Sequence, residues 1–323
     1  MPSRDHQLKP DFDEHEAVRL FERVFSAAKN AELELGIGDD AAILRVGRER
    51  LVFTVDTSVE GVHFDRRWLS LEDVGWRALQ AAASDVSAMG GRPIAALSNL
   101  ILPARIRRRE LEALARGQAA AARALRCPIV GGNLSRGKEL SVTTSVLGLA
   151  RRPIRRSGAR PGDSIVLLGD VGLARAGLSI LKRGLGRKNQ RALRVCIDAW
   201  RRPRALSSLA PGARAHAAID VSDGLSLDLR RLAEASGVHA VIEERALRRA
   251  LRPELRRAAE RLGEDPLELA LSGGEDYALI VALPRGVRLA AARRIGRIER
   301  GSGALLEHSD GQSSRLGEGY EHF

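Results

Sequence analysis

Ala217-Ala218-Ile219-Asp220-Val221-Ser222-Asp223-Gly224-Leu225 is the stretch on which the fold turns. Ala217 to Val221 is a short apolar run of the kind that forms a buried strand, and from Leu225 to Glu234 the apolar residues return at helical spacing. Between them, where a strand ends and a helix begins, stand Asp220, Ser222 and Asp223. A strand that feeds through an acidic turn into a helix implies an α/β architecture. The same grammar recurs outward from it. Ser164 to Leu168 is a predicted strand ahead of helical Val171 to Leu181; Ala240 to Ile242 and Tyr277 to Ala282 are predicted strands around a helix from Ala246 to Arg261.

Towards the N-terminus the pattern is again mixed. Asp13 to Ala28 has helical periodicity, Leu51 to Val55 is a β-branched strand, and Ser70-Leu71-Glu72-Asp73 caps a helix predicted to run to about Met89. Pro93 to Leu102 and Leu140 to Leu147 follow as strands, with a helix from Glu110 to Leu125 between them. The basic, proline-bounded segment Arg151 to Pro161 reads as a linker, which divides the chain into α/β domains at 1–148 and 149–323. With 323 residues, 44% of them hydrophobic, each domain can bury its own core.

Composition narrows the function. Cys127 and Cys196 are the only cysteines and lack the spacing of a zinc or redox motif. No apolar run approaches the roughly 18 residues of a membrane span, and Met1 to Glu16 is charged. A cytoplasmic protein with no membrane partner is expected. The net charge of +12 raises nucleic-acid binding, but the arginines are spread over helix faces and aromatics are only 3%, which leaves little to stack on bases. No specific nucleic-acid partner is expected.

Five short acidic motifs carry the chemistry: Gly38-Asp39-Asp40, Val55-Asp56-Thr57, Ser84-Asp85, Asp220 to Gly224, and Ser272-Gly273-Gly274-Glu275-Asp276. Carboxylates gathered from several elements suit hard cations shared with substrate phosphates. Each motif alone also reads as a helix cap or a turn. Asp85 is the harder one to explain so, because it lies inside an alanine-rich helix where a carboxylate has poor propensity. Two glycine patterns mislead. Gly36-Ile37-Gly38-Asp39-Asp40-Ala41 mimics a dinucleotide fingerprint but precedes a strand-like run; Gly132 to Lys138 mimics a P-loop but is followed by Glu139 and a strand.

Taken in order, Gly36 to Ala42, Glu60-Gly61-Val62-His63-Phe64, Ser84-Asp85 with Ala88-Met89-Gly90, Arg156 to Asp163, Ile219 to Leu225 and Leu271 to Tyr277 resemble the thiamine-monophosphate kinase family, within the aminoimidazole ribonucleotide synthetase-like superfamily. The resemblance spans about 36 to 323. It implies a two-domain α/β fold whose first domain supplies a dimer-forming sheet, ATP as co-substrate without a P-loop, and several Mg²⁺ ions. The implied reaction is phosphorylation of thiamine monophosphate to thiamine pyrophosphate by a homodimer. By position, Asp40, Thr54, the backbone of Val55, Asp56, Asp85, Asn133, Asp220 and Asp223 match metal ligands, with Asp56, Asp85 and Asp220 catalytic. Gly132, Asn133, Arg156 and Ser222 match ATP contacts; His63, Glu275 and Tyr320 match contacts to the thiamine nucleotide.

The chain departs from the family pattern at Asn133, where an Asp is usual, at Ala82-Ala83 and at Glu321. An amide oxygen still ligates Mg²⁺ but brings no charge; Asn133 also suits a turn after a strand Pro128 to Val130. The alternatives are another ATP-using enzyme of the superfamily, of the synthetase or hydrogenase-maturation type, and a basic nucleic-acid-binding protein.

Overall fold

The computed structural model describes residues 14–25, 30–187, 190–206 and 214–316. Among these, helix α1 (Glu14–Phe25) precedes a first sheet of β1 (Leu33–Leu35), β2 (Ala42–Val46), β3 (Glu49–Val59), β4 (Arg92–Pro103), β5 (Ile129–Gly137) and β6 (Ser141–Leu149). Their spatial order is β1-β2-β3-β6-β4-β5. All neighbours are antiparallel except β4 and β5, which run parallel because α3 (Arg108–Leu125) crosses back between them. Together with α2 (Leu71–Ala88), α3 covers one face of the sheet. The other face shows Phe53, Val55 and Leu97 to solvent, at 43%, 59% and 46% exposure.

The second sheet takes β7 (Ser164–Leu168), β8 (Ala217–Asp220), β9 (His239–Glu243), β10 (Leu279–Leu283), β11 (Arg293–Glu299), β12 (Gly303–Glu307) and β13 (Ser313–Arg315) in the order β13-β12-β9-β11-β7-β10-β8. Helices α4 (Leu173–Lys182), α5 (Arg191–Arg201), α6 (Leu225–Ser236), α7 (Glu244–Ala250), α8 (Pro253–Leu262) and α9 (Pro266–Ser272) complete the domain. Strand alternation sorts its two cores. Ile165 and Leu167 join the helices, while Val166, Ala218 and Val281 face a smaller cluster that includes Ala88 at the end of α2.

Helix α2 is therefore wedged between the domains and is buried almost throughout. Its Ser70 cap accepts from the Asp73 amide at 3.1 Å, and the Asp73 carboxylate returns the bond, the capping box that the sequence announces. Two glycines let α2 and α3 touch. A Cβ at Gly75 would stand 2.1 Å from the Leu114 carbonyl oxygen, and one at Gly117 would stand 1.9 Å from that of Glu72. Any side chain at either position would force the helices apart.

The α/β expectation holds, with local corrections. The predicted helix Ala246 to Arg261 is two helices, because Pro253 lacks an amide hydrogen and starts α8 after an extended Leu251. The strand expected at Pro128 to Val130 continues to Gly137, so Asn133 lies inside β5 instead of in a turn. The strand expected from Tyr277 begins at Leu279, because Glu275 and Tyr277 adopt φ of +65° and +51°.

Candidate active site

A cleft of about 610 Å³ opens between the domains along α2. Arg77, Ala81 and Asp85 line it at intervals of four residues, one stripe of the helix. At 1.5 Å rise per residue that stripe is about 12 Å long. Its two ends differ in chemistry.

At the Asp85 end the acidic motifs converge. Thr54 Oγ1 donates to Asp85 Oδ2 at 2.6 Å and lies 3.5 Å from the Asp40 carbonyl oxygen. Ser84 Oγ donates to Asp220 Oδ2 at 2.6 Å, which brings β8 of the second sheet onto α2 of the first domain. Arg156 Nε donates to Asp40 Oδ1 at 2.7 Å, and the Arg156 amide is held by the Asp39 carboxylate at 3.1 Å. Arg156, Asp40, Thr54 and Asp85 thus form one hydrogen-bonded chain, which Asp220 adjoins through Ser84, the residue next to Asp85; β3, α2, β8 and two loops contribute to it. Burial pushes Asp40 up to about 7 against the opposing pull of Arg156, with Asp220 and Asp39 adding repulsion. Burial likewise raises Asp220 to about 7, although the Ser84 hydroxyl opposes it, and raises Asp85, with Asp220 and Asp40 reinforcing the effect.

Asp56, also raised by burial, projects from β3 into the cleft near His63. Ser222 and Asp223 border the cleft at the entry to α6. There Asp228, buried and raised to about 7, accepts the Asp223 and Gly224 amides at 3.0 and 3.1 Å, while Asp223 pairs with Arg231. Val55 borders the cleft while its side chain reaches the uncovered sheet face.

A divalent cation fits the acidic end. Asp40 Oδ2 is buried without a hydrogen-bond partner among the described residues, and neighbouring carboxylates repel one another. Among the described residues no three such side chains already converge to hold an ion. Arg156 instead supplies the positive charge on Asp40, so ligation requires the carboxylates to close in.

At the Arg77 end the walls are aromatic: Phe64, Trp68, Trp200 and Tyr277. Glu275 and Tyr277 both reach the cleft from left-handed backbone, a conformation costing on the order of 1–2 kcal/mol for each such residue. Hydrogen bonds from Glu275 N to Ser222 O (2.7 Å) and Tyr277 N to Val221 O (2.9 Å) hold it. Asp276 points away, accepting the Gly172 and Ala174 amides at 2.6 and 3.0 Å at the start of α4. Although it belongs to an acidic motif, it serves a helix terminus. His63 lines the cleft and accepts the Val59 amide at Nδ1, 3.1 Å away.

Gly132 and Asn133 do not join these residues within one chain. Asp56 pairs with Thr144, Thr144 with Ser98 and Ser98 with Gly132, so three strand spacings, about 14 Å, separate β3 from β5 at this level. A Cβ at Gly132 would stand 1.7 Å from the Ser98 carbonyl oxygen, which accounts for glycine there by packing alone. Tyr320 lies outside the described residues. Arg77, Trp68 and Trp200 were not singled out by the motifs, and Tyr277, which closes one of them, was given no role. The spacing of Arg77 to Asp85 signals a shared helix stripe, whereas nothing local marks Trp200.

Two mixed sheets with an acidic cleft between them define an AIR synthase related protein: residues 38–150 match the family's N-terminal domain and residues 160–303 its C-terminal domain. The chain is 36% identical over 291 residues to the thiamine-monophosphate kinase of Aquifex aeolicus, covering 89% of this chain and 92% of that one. It is 34% identical over 312 residues to the enzyme of the same name from Mycobacterium tuberculosis, covering 95% and 92%. The structure of AaThiL complexed with AMPPCP and TMP superposes with a TM-score of 0.88 at 32% identity, covering 98% of this chain and all of that one (100%). The chain belongs to the thiamine-monophosphate kinase family.

Proposed function

We propose that this chain transfers the γ-phosphoryl group of ATP to the phosphate of thiamine monophosphate, giving thiamine pyrophosphate and ADP. An acceptor phosphate oxygen forms the new bond to the γ-phosphorus as the bond to the β,γ-bridging oxygen breaks. The observation that carries the proposal is the two-ended cleft. One end gathers Asp85, Asp220 and their neighbours for phosphates; the other offers Glu275 and aromatic walls to an organic ring, with the two about 12 Å apart along α2.

The chemistry needs little proton transfer. A phosphate monoester has a second pKa near 6, so the acceptor is mostly dianionic at neutral pH and repulsion is the chief obstacle. Arg156 and Ser222 would bind ATP phosphates, and His63 and Glu275 would orient the acceptor, with Tyr320 assigned to the same end by resemblance. Asp40, Thr54, the Val55 carbonyl, Asp56, Asp85, Asp220 and Asp223 would hold Mg²⁺, which when bound neutralises charge accumulating on the phosphates. Among the described residues no helix is long and apolar enough to cross a membrane. Two buried free cysteines suit a reducing cytoplasm, where both substrates would be met.

The uncovered face with Phe53, Val55 and Leu97 supports a homodimer, since a second copy would bury that apolar surface. The same packing supports a role for Gly132 and Asn133 in the neighbouring site, because in their own chain they stand three strands from Asp56. Incubation with ATP, Mg²⁺ and thiamine monophosphate should yield thiamine pyrophosphate and ADP. No product from that acceptor, with ATP hydrolysis on formylglycinamidine ribonucleotide instead, would replace the kinase by a synthetase.

A further inference from the structure

We infer that Arg77 and Trp200 are positioning residues that hold the Glu275 carboxylate in one orientation, so that it selects an acceptor bearing an aminopyrimidine. The inference rests on the kinase proposal above and extends it to two residues that the motifs do not mark.

Three elements meet on this one carboxylate. Arg77 of α2 donates from Nη2 to Glu275 Oε1, and Trp200 of α5 donates from Nε1 to Oε2 at 2.8 Å. The two donors are themselves locked together. Arg77 Nη1 bonds the Trp200 carbonyl oxygen, and the guanidinium lies 5.2 Å from the centroid of the Trp200 ring. Arg77 is buried, whereas the Glu275 side chain keeps 31% exposure and lines the cleft. The left-handed backbone at Glu275 fixes its direction from the other side.

An interdomain tie alone does not account for this arrangement. Helix α2 is already tied to residues 200–205 by Trp76 Nε1 to the Pro203 carbonyl oxygen at 2.6 Å, by the Ala205 amide to Gln80 Oε1 at 2.8 Å, and by Arg202 to Asp73 at 2.6 Å. Glu275 adds little to that tie. A carboxylate has about four lone-pair sites, and the two donors leave the rest available in fixed directions. Such a pinned acceptor, beside the Phe64, Trp68 and Tyr277 walls, suits the exocyclic amine of a flat heterocycle. Pre-organisation makes the contact selective, because an acceptor lacking the amine leaves the carboxylate unpaired with ligand.

The test uses the full chain as wild type, Trp200→Phe and Arg77→Lys. Trp200→Phe keeps a ring but removes the N–H; Arg77→Lys keeps the charge but loses the fork. Each is assayed with thiamine monophosphate and with the analogue whose pyrimidine amine is replaced by hydrogen. The wild type should favour the natural acceptor by about 100-fold in kcat/KM. Each variant should cut that preference about 10-fold by raising KM for the natural acceptor, with the KM for ATP within about twofold of wild type. An unchanged preference in a variant that folds, or a parallel loss on both acceptors and ATP, overturns the inference. If Trp200→Phe fails to fold, Arg77→Lys decides alone by the same ratio. A wild type inactive on thiamine monophosphate sinks the kinase proposal and this inference with it; an active wild type with unchanged ratios sinks only the inference.

Discussion

Ser84 Oγ lies 2.6 Å from Asp220 Oδ2, and this bond joins the helix of the first domain to a strand of the second at the acidic end of the cleft. Adjacent on the same helix, Asp85 takes the Thr54 hydroxyl at 2.6 Å. The Ser84-Asp85 pair thus sends one side chain to each sheet. A helix wedged between the domains can do so, which explains why α2 is alanine-rich, with Gly75 at its contact with α3, and why it carries polar residues at its most buried end. Domain packing and site assembly are the same event at this point.

The buried carboxylates predict how pH and metal interact. Asp40 and Asp220 are pushed up to about 7, so each binds a proton more tightly folded than unfolded. In the metal-free protein that proton stabilises the fold fully below the ordinary carboxylate range, and the contribution is lost as pH rises through about 7. A cation competes with the same protons. The rise in Tm on adding Mg²⁺ should therefore be small near about pH 5 and grow steadily to about pH 8. Thermal scans with and without Mg²⁺ across that range check this; a Tm gain independent of pH would mean that these carboxylates do not hold the ion.

Asp276 separates capping from catalysis within a single motif. Its carboxylate accepts two amides at the start of α4, so Asp276→Ala should cost about 1–3 kcal/mol of stability by stranding buried donors. Denaturant unfolding measures that loss. Mg²⁺ dependence of turnover should stay unchanged, because the side chain does not line the cleft. A shifted Mg²⁺ optimum in this variant would mean that Asp276 also acts on the metal site.

How much of this was legible before the structure depends on distance along the chain. Asp220, Ser222 and Asp223 are readable because a strand and a helix adjoin them in sequence, and Ser70 with Asp73 announces α2 by a local hydrogen-bond code. Asp85 is marked by being a carboxylate among alanines. Trp200 is not legible: its partners Arg77 and Glu275 lie 123 and 75 residues away, and only tertiary packing brings them together. The role of Asp276 is hidden for the same reason, since it caps a helix that begins about a hundred residues earlier (102 from Ala174). The fate of Asn133 depends on sheet order, which residue order alone does not specify. The local signals at that position suggest a turn, and pairing with β4 overrides them.

Asn133 gives the last prediction. It lies on the edge strand β5, opposite Asn99 of β4, whereas Asp85 bonds Thr54 of β3, three strands away, and Asp220 belongs to the second sheet. If it ligates a phosphate-bridging cation, it does so in the site of a partner subunit, and two crippled variants should then complement each other. Asn133→Leu and Asp85→Asn should each be severely impaired as homodimers. Mixed under conditions that exchange subunits, half of the dimers become heterodimers, in which one site is intact and the other doubly defective, so about a quarter of wild-type turnover should return. Asn133→Asp should remain active and need less Mg²⁺, because an anionic oxygen stabilises a divalent cation more than an amide does. Action within one chain predicts no recovery on mixing, since every site then lacks one ligand. A strand residue with no ligand role predicts that Asn133→Leu alone is nearly as active as wild type, with an unchanged Mg²⁺ curve. Turnover of the mixture, measured against each homodimer with subunit exchange followed by native mass spectrometry, distinguishes the three.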